Sequence, residues 1–304
     1  MIVLLQVLIN WCLVVPILNL YELTPTFTIL DFIFMTLATI MIAGGGYVIN
    51  DYFDTKADLI NRPNNVIVGT DISRGNALTW HLALNIIACI LGALVSIRIG
   101  VWIFAFAYPI ISGLLWFYSS TYKKMFLLGN IIVAFLISII PLMPVAYQLP
   151  GQMNTDNPNI INGVFDLNLI FYWSLGFSIF SFITTLFREI IKDMEDYNGD
   201  KESGRNTIPV VLGFKVSKII VISLMVITIL GIIWVWINFL NDLISATYLS
   251  VLVILPLLLL IYKTLKIKTK EDCHFVSSLS KIIMLLGILY LFVVRYNLYL
   301  VGNE

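Results

Sequence analysis

Charge is what this sequence has least of: Asp, Glu, Lys and Arg make up 12% of its 304 residues, about half of the roughly 25% found in an ordinary soluble domain. With 60% hydrophobic residues and a mean hydropathy of +0.95, that scarcity excludes a soluble globule. The 18 basic and 18 acidic residues cancel, so net charge points to no nucleic-acid or acidic partner, and no nucleic acid is expected. Cysteine is nearly absent. Cys12, Cys89 and Cys273 are scattered with no CxxC spacing, which leaves neither a disulfide framework nor a zinc site and suits packing roles. His81 and His274 are isolated and read as interfacial residues. The first apolar run has neither a basic leader nor a small-x-small cleavage site, so it reads as a membrane helix rather than a signal peptide.

What the chain does have is long apolar runs. A membrane helix needs about 20 mostly apolar residues, and nine stretches qualify: approximately 1–20, 29–49, 77–97, 101–118, 127–147, 168–188, 217–238, 246–262 and 281–301. The expectation is an all-α polytopic membrane protein forming one domain over 1–304. Its basic residues are lopsided. With nine spans, 16 of the 18 fall on one side, and only Arg98 and Arg295 on the other. The positive-inside rule then puts the N-terminus and the even-numbered loops in the cytoplasm. The basic run "KTLKIKTK" at 263–270 reads as facing lipid headgroups. The outer loop 148–168, with no basic residue, reads as a plain connection.

The acids are not scattered. "DYFDTKAD" at 51–58 and "DMEDYNGD" at 193–200 share the spacing DxxDxxxD, and each follows an apolar run, the second and the sixth. On an α-helix, positions i, i+3 and i+7 point within about 60° of one another. If the helices continue through the motifs, each carries a stripe of three carboxylates, with Asn50 at the margin of the first and Glu189 on the second. Gly199 is a candidate helix end, which leaves the direction of Asp200 open. Like charges about 6 Å apart repel by roughly 3 kcal/mol at an effective dielectric near 20, so the stripes need cations or protons. Mg²⁺ suits such an oxygen-only donor set and leaves positions that substrate phosphates fill. Intramembrane ionisable groups are functional candidates by default. The stretch "AGGGY" at 43–47 reads as close helix packing.

With both motifs in hand, the chain resembles the UbiA superfamily of intramembrane prenyltransferases. The resemblance is carried by "NDYFDTKADLINRP" (50–63), "YSSTYKKMFLLGN" (118–130) and "REIIKDMEDYNGDKESGRNTIPVVLG" (188–213). It implies nine helices around a central cavity, capped on the cytoplasmic side and open laterally to lipid. It also implies transfer of a polyprenyl group from its diphosphate to a lipophilic acceptor. Carried over, Asp51, Asp54, Asp58, Asp193, Asp196 and Asp200 would hold Mg²⁺. Asn50, Arg62, Lys123 and Lys124 would contact the diphosphate. Asp54, Asp193, Lys123 and Tyr118 would stand nearest the chemistry.

That chemistry suits the composition: a neutralised diphosphate leaves an allylic cation, and an apolar chamber keeps water from it. Within the family, "REIIKDMEDYNGD" and "KKMFLLGN" look most like the subgroup that alkylates geranylgeranylglyceryl phosphate. An aromatic quinone precursor such as 4-hydroxybenzoate or a naphthoate is the alternative acceptor. A cation or proton transporter is the alternative of another class, and it calls for acids at the bilayer midplane. Two departures stand out. "NNVIVG" (64–69) replaces the basic and Pro-Ser-Gly continuation usual after "NRP". The chain also starts at Met1 inside the first helix, without the family's Arg-Pro-x-Asn lead, so either a substrate contact is absent or the natural start lies upstream. The implied location is the cell membrane, with the site facing the cytoplasm.

Overall fold

The computed structural model describes residues 1–61, 63–153 and 168–301. The part of the outer loop between 154 and 167 and the predicted diphosphate contact Arg62 lie outside them. The described residues form helices α1 (Ile2–Leu20), α2 (Ile29–Asn61), α3 (Arg74–Arg98), α4 (Trp102–Ser120), α5 (Leu128–Ser138) and α6 (Leu142–Met153). They continue with α7 (Asn168–Glu195), α8 (Tyr197–Glu202), α9 (Ile208–Leu240), α10 (Leu243–Leu265) and α11 (Lys270–Val301). Among the described residues eight of these are long and apolar enough to cross a membrane, and there are nine if α5 and α6 up to Pro150, bent by 48°, are taken as one span. The protein is an all-helical, multi-pass integral membrane protein.

The nine apolar stretches recur, but their ends move. The second and sixth helices run on through their acidic motifs to Asn61 and Glu195, past the apolar stretches that end near 49 and 188, so the first motif lies wholly on helix and the second begins on one. The fifth stretch is broken at Pro141, whose ring removes a backbone donor and ends the helical ladder. The loosened carbonyls are taken up by α7. Ser174 Oγ donates to Pro141 O at 2.5 Å, and Ser178 Oγ donates to Ser138 O. Such neighbouring hydroxyls are what makes a break tolerable inside a bilayer.

One apolar cluster joins α1, α7, α9, α10 and α11 through side chains such as Leu13, Phe187, Met225, Leu257 and Leu291; a second joins α2, α3, α4 and Tyr147. Helix α7 sits at the centre, packing on α5, α9 and α11, while α2 packs along α3 and α4. The glycines at 44–46 serve close packing as expected. A Cβ on Gly45 would stand 2.5 Å from Asn85 Nδ2, and one on Gly46 would stand 3.1 Å from Leu115 Cδ1. His81 is not interfacial. It is 3% exposed, and its Nδ1 lies 2.9 Å from Gly45 O, which joins α2 to α3. Both basic residues of the sparse side are tied down: Arg98 Nε pairs with Asp31 at 2.8 Å, and Arg295 donates to Trp11 O at 2.7 Å.

At the opposite end the polar connections meet. Asn206 N donates to Lys124 O at 3.0 Å, Lys270 Nζ to Asn61 O at 2.7 Å, and Arg74 to Tyr52 O at 3.2 Å. The loops after α2, α4, α7 and α10 therefore share one end of the bundle, the arrangement that the charge asymmetry requires.

The tightest helix approach generates a stability prediction. A Cβ on Gly92 of α3 would run into the ring of Tyr108, which is 1% exposed and cannot swing aside. Gly92→Ala should lower the unfolding free energy in detergent by about 1–3 kcal/mol, the usual range for overpacking. Gly113→Ala, with nothing within 4 Å of the added carbon, should leave it unchanged or higher. Equal thermal midpoints for the two variants would contradict the packing described.

Candidate active site

Two helices deliver the acids, and a third segment joins them. Helix α2 brings Asn50, Asp51, Asp54 and Asp58 to its loop end; α7 brings Glu189, Lys192 and Asp193. The second stripe then departs from one continuous helix. The break comes at Asp196 (φ −92°, ψ 10°) rather than at Gly199, and α8 carries Asp200. Asn61 stabilises this turn by bonding both ways: its Nδ2 donates to Asp196 O at 3.2 Å, and its Oδ1 accepts from Gly199 N at 3.0 Å. A side chain at Gly199 would collide with the Asn61 amide, so only glycine permits the contact.

The centre is Asp54, 3% exposed. Its two oxygens are held by two cations, Lys123 Nζ on Oδ2 and Arg205 on Oδ1. Lys123 Nζ also donates to Asn50 Oδ1 at 3.1 Å. Arg205, 7% exposed, reaches Asp200 Oδ1 at 3.2 Å with its other terminal nitrogen. One guanidinium thus bridges the two acidic motifs, using the forked donor geometry that lysine lacks. Burial pushes the Asp200 carboxyl up to about 6, although Arg205 beside it pulls the other way.

A polar cavity opens at this junction, lined by Tyr118, Lys123, Asn130, Glu189, Lys192, Asp193, Asp196, Asp200 and Arg205, with Gly129 at its wall. Asn130 Nδ2 donates to Asp193 Oδ2 at 2.8 Å. Gly129 lets the Lys123 backbone approach, since a Cβ there would lie 2.9 Å from Lys123 Cα.

Of the residues expected from sequence, Tyr118, Lys123, Asp193, Asp196 and Asp200 line the cavity, and Asn50 and Asp54 are joined to it through Lys123. Asp51 is exposed and Asp58 half-buried along α2. Lys124 is exposed, and it is its carbonyl that is engaged, by Asn206. Among the described residues no three Asp, Glu, His or Cys groups converge closely enough to share one ion; cations stand between them instead. Sequence reasoning missed Arg205, Lys192 and Asn130. The first stands five residues beyond the second motif, and nothing in its spacing distinguishes it from an ordinary loop cation.

The model of the UbiA prenyltransferase family matches residues 11–294. A digeranylgeranylglyceryl phosphate synthase from Methanobrevibacter smithii is 36% identical over 63% of this chain and 62% of its own length. One from Methanosphaera stadtmanae is 30% identical over 84% of this chain and 85% of its own. A solved digeranylgeranylglyceryl phosphate synthase superposes with a TM-score of 0.59 at 24% identity, covering 96% of this chain and 97% of that one. A UbiA homolog from Archaeoglobus fulgidus, solved with DMAPP and Mg²⁺ bound, gives 0.57 at 15% identity, covering 96% and 98%.

The bridge carries a prediction of its own. Arg205→Gln leaves Asp200 without its ion-pair partner and Asp54 with Lys123 alone, and should destabilise the folded protein by about 3–5 kcal/mol, read from chemical unfolding in detergent. Arg205→Lys, a single point charge, should recover only part of it. A Gln variant as stable as the parent would mean that the bridge does not join the motifs.

Proposed function

The chain belongs to the UbiA prenyltransferase family, and from that premise we propose that it transfers a geranylgeranyl group from its diphosphate to the free hydroxyl of geranylgeranylglyceryl phosphate. The observation that carries this reading is the meeting of both acidic motifs and two cations around one polar cavity, at one end of an otherwise apolar bundle. The acceptor is supported by the names of the two relatives. The charge asymmetry of the loops supports a site on the cytoplasmic side of the cell membrane.

The donor set fits magnesium. The cavity walls offer carboxylates and an amide but no thiolate or imidazole among the described residues, and Mg²⁺ takes one or two carboxylates and completes its shell with water and substrate phosphates. Asp51, Asp54 and Asp58 on one side and Asp193, Asp196 and Asp200 on the other would hold it, where it supplies charge neutralisation of the leaving diphosphate. Lys123 and Arg205 would add to that neutralisation, with Asn50 fixing the Lys123 ammonium. Asn130 fixes the Asp193 carboxylate. Tyr118 presents a ring at the cavity wall, where an aromatic face stabilises a nearby cation by about 0.5–2 kcal/mol. Arg62 completes the proposed diphosphate contacts, and the Lys124 side chain would have to turn inward to join them. The apolar helices around the cavity keep water from the reactive carbon.

Purified protein given Mg²⁺ and labelled geranylgeranyl diphosphate should alkylate geranylgeranylglyceryl phosphate and release diphosphate, and chelation should abolish turnover. Asp54→Asn and Asp193→Asn should each lower kcat by about 100-fold or more, the usual loss for a group that stabilises developing charge. Faster turnover of 4-hydroxybenzoate in the same assay would replace the glyceryl acceptor with an aromatic one. Full activity of both Asn variants would remove the aspartates from the reaction.

A further inference from the structure

One cation in the cavity has its ion pair outside the two DxxDxxxD motifs. Lys123 and Arg205 both hold Asp54. Lys192, the remaining cation that lines the cavity among the described residues, pairs with Glu189 at 3.2 Å. Glu189 is 9% exposed and also accepts from Arg188 at 2.7 Å. Two bases share one acid, and the Lys192 side chain keeps 35% of its surface open.

Two buried polar atoms, one of them on the triad itself, have no partner among the described residues. Arg188 Nε is buried and has no hydrogen-bond acceptor among the described residues; Thr185 Oγ1, on a residue 0% exposed, has no partner either. At 100° per residue Thr185, Glu189 and Lys192 lie within about 60° of one another on α7. Buried donors are almost always satisfied in native proteins; neither of these two lines the cavity, so it is Lys192 itself, the cation open to the cavity, that is suited to an anion supplied from outside the chain.

The proposed reaction brings in two anions, the diphosphate of the donor and the phosphate monoester of the acceptor, and like charges must be held by separate cations. Resting on that reading, we propose that Lys192, steadied by Glu189 and backed by Arg188, binds the phosphate of the glyceryl acceptor. The lysine shares its cavity wall with Tyr118 and Asp193. The three-carbon glycerol holds phosphate and free hydroxyl close together, so anchoring the first delivers the second to the reacting carbon. Lys192 is thereby a specificity-determining residue for the acceptor, distinct from the groups that hold the donor.

The test uses the full chain in nanodiscs, with geranylgeranylglyceryl phosphate, its dephosphorylated alcohol and geranylgeranyl diphosphate. Acceptor KM is measured with donor present, and acceptor Kd by calorimetry without it. Lys192→Met should raise the KM and Kd of the phosphorylated acceptor about 10- to 100-fold, the loss of one charge-assisted hydrogen bond. It should leave the KM of the diphosphate within about twofold and that of the alcohol unchanged. Lys192→Arg should retain most of the affinity. Glu189 keeps its pair with Arg188 in Lys192→Met, and an unchanged thermal midpoint for that variant separates lost binding from a folding defect. Wild-type protein that alkylates the glyceryl phosphate while Lys192→Met keeps its KM and Kd overturns this inference alone. Wild-type protein that alkylates only an aromatic acceptor overturns the acceptor reading and this inference with it.

Discussion

The bridge that Arg205 makes between Asp54 and Asp200 is the interaction on which the rest of the site depends. The three side chains are 8%, 5% and 3% exposed, and a charge so deeply buried is tolerated only with a partner in good geometry. Lys123 takes the second oxygen of Asp54, so that carboxylate is compensated from two directions. The positions of four segments follow: the end of α2, the turn after α4, helix α8 and the stretch leading into α9. None can move far without stripping a buried charge of its partner.

The backbone around the bridge is shaped to reach it. A straight continuation of α7 would carry Asp200 onward along the helix axis, and the turn at Asp196 redirects the chain into α8 instead. Asn61 holds that turn through Asp196 O and Gly199 N, which also fixes where α2 ends against it. Gly129 plays the matching part on the other side by letting the Lys123 backbone close in. Glycine recurs at these points because neighbouring segments approach closely, and the left-handed conformation of Gly213, φ 76°, kinks the start of α9 just beyond. Local sequence and long-range charge pairing agree on one geometry, the kind of consistency by which a sequence specifies a structure.

For the proposed reaction this means that Asp54 and Asp200 are charge-compensated at the outset. Lys123 and Arg205 already serve as counter-ions to the acids, and a diphosphate arriving with divalent cations offers each group a new partner of the right sign. Such an exchange would keep Asp54 and Asp200 paired. The triad of Arg188, Glu189 and Lys192 stands apart from that exchange, because Glu189 belongs to neither pair on Asp54.

The membrane architecture is legible in sequence because length and hydropathy answer directly to bilayer thickness, and the acidic stripes because their spacing is a helical period. What escapes is everything set by pairing across the chain. Arg205 and Asp54 are 151 residues apart, and Asn61 and Gly199 are 138 apart; no periodicity in one sequence encodes such a meeting. Gly199 reads as a helix end, yet its role is to admit Asn61, while the turn itself falls at Asp196. A lone histidine near a helix start is commonly interfacial, and only the approach of Gly45 makes a buried acceptor available to the His81 ring. The positive-inside count contains Arg205 and Lys192, but a count cannot separate cations that face headgroups from cations that face acids. Their separation depends on burial, and burial is a property of the folded bundle.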